Sequence, residues 1–181
     1  MTTAQAESTI PTGTWQSDPV HSHVGFAVKH VVGTFRGSFG EFEAKLSDSS
    51  GKPELSGHVP VKSVEVKEES LQGHLLSPEF FDAEKTPQIS FRSTRIEIEE
   101  GQVVVDGELT VRDITKPVVA RGEVNGPAPG PDGNERIGLD LETKVDRHDY
   151  GLDWQMELPG GGKTLGDEVT LSVHLELINE A

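Results

Sequence analysis

The chain has 181 residues, with 16 Lys and Arg against 31 Asp and Glu, a formal net charge of −15 and a pI near 4.8. That length fits one domain, large enough to bury about 70% of its unfolded surface without a metal or disulfide staple. The charge excludes a phosphate backbone as partner and disfavours anionic membranes, and the lack of Cys excludes disulfides, thiol nucleophiles, thiolate zinc sites and a lipoprotein anchor.

Residues 1–12 are small and polar, end at Pro11 and read as a disordered tail. They hold no apolar core of a secretory signal, and no apolar run approaches the roughly 18 residues of a membrane span. Cytoplasmic placement without stable membrane insertion is the expectation. From residue 13 the dominant signal is period two, the mark of half-buried strands. Val24, Phe26 and Val28 share one face, with His23, Gly25, Ala27 and Lys29 between them. Val59 and Val61 mark a strand, and Ile89 and Phe91 begin another. Val103, Val105, Gly107, Leu109 and Val111 alternate with Val104, Asp106, Glu108 and Thr110. Leu139, Leu141, Thr143 and Val145 do the same, as do Val169, Leu171, Val173, Leu175 and Leu177. Turns are expected at Ser49–Pro53, at Glu100–Gly101 and across the Pro/Gly-rich stretch Asn125–Asn134. About eight such strands make an antiparallel sheet with one apolar face, and closure into a barrel hides that face and removes both edges.

One segment departs from period two. Leu71 and Leu75 lie at i and i+4, Glu68 and Glu69 suit a helix N-terminus, and Pro78 ends the run. A short helix followed by a turn carrying Phe80 and Phe81 is predicted. It either covers one barrel end or packs on the outer wall, since both bury the same stripe.

Chemical motifs are sparse. His21 and His23, with Asp18 near and His30 further along, form a reachable metal arrangement. No carboxylate follows the pair closely, so hydrogen-bonded turn structure of Asp18, His21 and Ser22 is the better reading. Nucleophile-elbow, zincin and phosphate-loop motifs are absent. Gly160-Gly161-Gly162-Lys163 lacks the strand and helix of a phosphate cradle and reads as a hairpin loop. The acids fall mostly on polar strand faces, as with Glu41 and Glu43 or Asp106 and Glu108. Arg36, Arg92, Arg95 and Arg112 are the cations that could meet an anionic head group, though each taken singly reads as a surface ion pair.

Five stretches in order resemble the YceI-like polyisoprenoid-binding family. They are Asp18 to His30, Arg36 to Phe42, His74 to Asp82 with Pro87–Phe91, Gly107 to Val118, and Asp146-Arg147 with Tyr150–Leu152 and Gly166–Val169. The resemblance covers residues 13–178. It departs at Asp113, where the family commonly has Gly, and in the secretion signal that many members carry. The implied fold is all-β, an extended eight-stranded antiparallel lipocalin-like barrel with a short helical insert.

The implied function is non-catalytic carriage or storage of a long amphiphile, such as a polyisoprenoid, an isoprenoid quinone or a fatty-acid derivative. No cofactor is expected, and a homodimer is left open. Phe26, Val28, Phe42, Phe91, Val103, Val105, Leu139, Leu141, Leu171 and Val173 are the expected wall, with Leu75, Leu76, Phe80 and Phe81 of the insert near one end. A register slip of one would turn any of them outward. Two other readings stand beside this one. An enzyme or metal-dependent protein would use the cavity through His21, His23, His30 or His148. A structural or interaction module would fill the barrel with its own side chains.

Overall fold

Residues 12–48 and 51–180 are described by a computed structural model of the chain. The strands are β1 (Gly13–Ser17), β2 (His23–His30), β3 (Gly33–Phe39), β4 (Glu43–Asp48), β5 (Pro53–Pro60), β6 (Val64–Glu65), β7 (Gln88–Glu99), β8 (Gln102–Val111), β9 (Ile114–Pro129), β10 (Glu135–Asp146) and β11 (Leu165–Asn179). Helix α1 (Glu69–Leu76) lies between β6 and β7, and single 3₁₀ turns occupy Val61–Ser63 and Arg147–Tyr150. The expected N-terminal tail falls outside the described residues except for residue 12, as do Ser49 and Ser50 of the turn before β5.

Every pairing between these strands is antiparallel, and the ring β1-β4-β5-β7-β8-β9-β10-β11 closes through β1 and β11. This is the eight-stranded barrel. The remaining strands come from breaks in long ones. β1 and β2 both pair with β11, and β4 and β3 pair with β1 and β2 in turn, so each couple behaves as one strand interrupted by a few residues. Beyond the breaks, β2, β3 and β6 continue as a flap along β11 rather than rejoining the ring.

Local chemistry explains the breaks and bends. The Asp18 side chain accepts from the backbone N–H of Val20 at 2.9 Å and pairs with His21 Nδ1 at 2.8 Å, which turns the chain out of β1. A shift in register between Ser93 and Arg95 resets the inward parity of β7 from Ile89 and Phe91 to Ile96 and Ile98. The two-residue turn Arg112–Asp113 between β8 and β9 puts both residues at positive φ. That is the twist-matched hairpin geometry that favours glycine but accepts Asp. Asp113 therefore leaves the strand end undisturbed. The stretch Asn125–Pro129, expected as loop, is the end of β9, and only residues 130–134 turn the chain.

The largest of three buried apolar clusters among the described residues occupies one end of the barrel. Trp15, Leu46, Val103, Val105, Ile137 and Leu177 are fully buried or nearly so and form one cluster with Leu55, Leu139 and Leu175. Leu177→Ala should lower the unfolding free energy by about 2–5 kcal/mol, because that closed end cannot collapse around the lost atoms. A loss of less than a third of that, measured by denaturant unfolding, would show that this end is loosely packed.

A polar cluster buttresses the seam at the same end. Arg136 Nη1 donates to Asp18 Oδ2 at 2.9 Å and to Glu176 Oε1 at 3.0 Å. His21, the Val20 N–H and Arg136 hold the Asp18 carboxyl down to about 2, and the Asp18 carboxylate raises His21 above its ordinary 6.5. The depressed Asp18 stabilises the fold above its unfolded value of about 3.8 and loses this as pH falls toward 2. The raised His21 stabilises it below 6.5 and loses this as pH rises through its higher folded value. Thermal melts should thus weaken on both sides of a plateau between pH 4 and 6.5, and Asp18→Asn should flatten both slopes. Unchanged slopes in that variant would move the effect elsewhere.

Candidate ligand-binding cavity

The other end of the barrel is hollow. A cavity of about 750 Å³ lies above the packed cluster, within the range of ligand sites, about 300–1,000 Å³. Its floor is shared with the core: Ala44, Leu55, Ala120, Leu141 and Leu175 belong to both. Its wall rises through Val24, Phe26, Val28, Phe91, Leu109, Val111, Val169, Leu171 and Val173. Leu71, Leu75, Phe80 and Phe81 of the insert complete it, so the insert packs on the cavity side and not on the outer wall.

The structure sorts the predicted residues by depth. Phe26, Val28, Phe42, Leu75, Phe80, Phe81, Phe91, Leu141, Leu171 and Val173 line the cavity. Val103, Val105 and Leu139 point inward but sit in the filled end, and Leu76 packs behind the lining with Phe39 and Val64. Alternation gives a residue's face but not its height along the barrel, and height decides the three strand residues, whereas Leu76 is decided by the face of the helix it occupies.

Aromatic rings organise the upper cavity. Phe26, Phe35, Phe39 and Phe81 contact one another with centroids 5.8–6.5 Å apart, joining β2 and β3 to the insert. Two rings lie on glycines. A Cβ at Gly37 would sit 2.4 Å from Phe26 Cζ, and one at Gly107 the same distance from Phe91 Cζ. Removing two side chains from neighbouring strands lets these rings lie flat along the wall instead of filling the lumen.

Two loops border the mouth. Trp154, from the segment after the Arg147–Tyr150 turn, meets His74 at 5.3 Å and Phe80 at 5.6 Å between centroids. His74 in turn pairs with Glu79 at 2.6 Å. The Gly160–Gly162 stretch forms the expected hairpin, with Glu157 bridged to Lys163. That hairpin joins the β2–β3 tip through Met156 O accepting from Thr164, and Thr164 O accepting from the Val31 N–H. Val31, Val32 and Met156 are exposed on this rim. His148 clamps the loop through Asp153 at 2.8 Å and Asp167 at 2.9 Å, and these carboxylates, Asp153 first, raise its pKa.

The histidines of the metal reading are not brought together. His21 and His23 lie off the cavity, and only His30 reaches its rim. The one three-residue cluster with metal-ligand spacing among the described residues is Asp18, His21 and Glu176. Arg136 bridges both of its carboxylates, so a guanidinium already supplies the positive charge there. The four arginines considered for a head group do not line the cavity either. Arg95 pairs with Glu97, and Arg112 donates to the Gly151 carbonyl.

Two buried polar residues on the cavity stand in the family-like motif but carry no site role in the sequence reading. Arg147 and Tyr150 line it at 3% and 2% exposure. Arg147 Nε donates to Gly166 O at 2.8 Å, and its Nη1 to Leu152 O and Trp154 O at 2.6 and 2.7 Å, so it also holds the mouth loop. The signal was present in β10: Leu139, Leu141, Thr143 and Val145 face inward, and Arg147 is next in that series. Trp154 lies in a loop without periodicity and gave no comparable signal.

Comparison with known proteins places this geometry. A UPF0312 protein of Staphylococcus aureus is 30% identical over 165 residues, which cover 88% of this chain and 94% of that protein. BcnA of Burkholderia cenocepacia has the same fold, with a TM-score of 0.75 at 19% identity, over 88% of this chain and 98% of that one. A polyisoprenoid binding domain from Saccharophagus degradans, implicated in plant cell wall breakdown, superposes with a TM-score of 0.70 at 10% identity, over 93% and 99%. The YceI-like domain model matches residues 15–177, and with that span and the Staphylococcus relative this chain belongs to the YceI-like family.

Proposed function

We propose that this protein binds a long-chain amphiphile in its cavity and carries or stores it without chemical change. The observation that carries this reading is an apolar cavity of about 750 Å³, bordered by loops, in a barrel whose other end is filled. Burying a tail there gains about 0.8 kcal/mol per CH₂, so length alone supplies affinity. A polyisoprenoid, an isoprenoid quinone or a fatty-acid derivative fits this description. The polyisoprenoid binding domain of Saccharophagus degradans, sharing the fold, supports the first.

Binding is favoured over catalysis by where the titratable pairs sit. His21 with Asp18 and His148 with Asp153 and Asp167 lie off the cavity lining, while His74, paired with Glu79, and His58 with Glu43 at 3.6 Å reach that lining as partly exposed pairs. They serve as clamps between segments. Cytoplasmic placement stays part of this proposal, and no helix among the described residues is long and apolar enough to cross a membrane.

Native mass spectrometry of the purified protein, with organic extraction, should release an apolar molecule in stoichiometric amount. Stripped protein should take up a long-chain fatty acid, and at a hundred times Kd gain about 2.7 kcal/mol in stability. Refusal of all long-chain probes would overturn carriage and leave a structural or interaction module. Phe26→Arg, which puts a charge on the cavity wall, should weaken uptake at least about tenfold. Uptake unchanged in a folded variant would place Phe26 outside the binding path.

The two tryptophans give a direct readout. Trp15 is fully buried in the closed end and Trp154 lines the mouth. Ligand binding should change intrinsic fluorescence, and Trp154→Phe should abolish the change while Trp15→Phe keeps it. The reverse pattern would place the ligand elsewhere.

A further inference from the structure

Three buried side-chain atoms among the described residues lack a hydrogen-bond partner: Arg136 Nε, Arg147 Nη2 and Tyr150 Oη. The first belongs to a guanidinium already engaged by Asp18, Asp132 and Glu176. The other two come from the single turn Arg147–Tyr150, and both residues line the apolar cavity. Arg147 spends its Nε and Nη1 on three backbone carbonyls and has no carboxylate partner among the described residues. Its charge and the N–H groups of Nη2 are left unanswered.

Folding alone explains one half of this pair poorly. Arg147 holds the mouth loop through its other nitrogens, but the Tyr150 hydroxyl holds nothing. A Phe would fill the same volume without desolvating an unpaired hydroxyl, a cost that native interiors rarely keep without a use. Burial, with Asp149 adding to it, pushes the Tyr150 hydroxyl up to about 12, so it keeps its proton at neutral pH. A guanidinium has donors only. Both unpaired groups can therefore donate, but each is covered by protein, Tyr150 among Leu109 and Val111, so an acceptor reaches them only when these side chains turn toward the cavity.

Their height fits a polar end. The turn follows directly on β10, whose Leu139 sits in the filled end, Leu141 at the floor and Val145 on the wall. It thus lies at the mouth end, next to Trp154 and the Gly166 backbone. We propose that Arg147 and Tyr150 form the polar-end site of the cavity, donating to an acceptor oxygen on the amphiphile while its tail runs down to Leu55, Leu141 and Leu175. This rests on the carriage reading above and narrows it. A pure hydrocarbon would leave both donors unpaired, whereas a carbonyl or carboxylate head answers them.

The test compares hexadecane, palmitamide and palmitate on stripped wild type, Tyr150→Phe and Arg147→Lys, with unfolding measured for each. Wild type should bind the two acceptor-headed ligands more tightly than hexadecane. Tyr150→Phe should fold at least as stably as wild type and lower that preference about five- to tenfold, the size of one hydrogen bond. Arg147→Lys keeps the charge and loses the fork; a larger loss for palmitate than for palmitamide there would mark an anionic head, and equal losses a neutral one. A preference unchanged in Tyr150→Phe would overturn the polar-end site while leaving carriage intact. Failure of wild type to bind any of the three would overturn carriage itself, and the site with it.

Discussion

Everything in this barrel depends on how β11 divides its edge. One edge pairs along its length with β10. The other is shared, with residues 177–179 closing the ring against β1 and residues 165–174 pairing with β2. Closure therefore rests on three residue pairs. Those pairs are backed by Asp18 N–H donating to Glu176 O at 2.8 Å and by Arg136 bridging Asp18 and Glu176. Where the ring is closed, side chains from eight strands meet and fill the interior. Where β2 and β3 leave the ring as a flap, side chains do not fill the interior and the cavity remains. An eight-stranded barrel sits at the size limit where either outcome is available, and a break of five residues after Ser17 selects both, one at each end.

The fold was largely legible because its signal is repeated. Each strand spends half its residues on the inner face, and the runs in β2, β8, β10 and β11 read correctly from alternation alone. So did the helix, where Leu71 and Leu75 depart from period two and Pro78 stops the turn. The sequence also explains its own low hydrophobic content, since the outer half of each strand is polar. Less legible were the breaks. The Asp18–Ser22 turn reads as a turn, but that it splits one strand between two partners is a property of pairing, which is set by distant residues.

The site was legible in face and illegible in depth. Val103, Val105 and Leu139 carry the same pattern as Leu141 and Leu171, and only their distance from the closed seam separates core from wall. The insert shows a related limit. Leu75, Phe80 and Phe81 would bury the same apolar stripe against either side of the sheet, and the choice is made by the hollow that the flap leaves. Arg147 is the instructive miss. Its charge removes it from any hydrophobic pattern, yet its position continues the inward series of β10, so parity was a better guide than residue type.

The net charge of −15 and the buried Arg147 act on different scales and do not oppose each other. Surface carboxylates interact through water and are screened over about 8 Å at physiological salt. They keep the outside of the barrel wetted and apart from other acidic surfaces. Arg147, at 3% exposure, is governed by what touches it: three carbonyls that orient the guanidinium and neutralise none of its charge. In an apolar cavity such a group is costly unless a further acceptor arrives. An acidic exterior and a buried arginine at the cavity are therefore compatible, and Glu43, Glu68 and Glu142 share that lining with Arg147. In the proposed complex the tail would lie among the Phe and Leu side chains of the wall and the head beside the Arg147–Tyr150 turn.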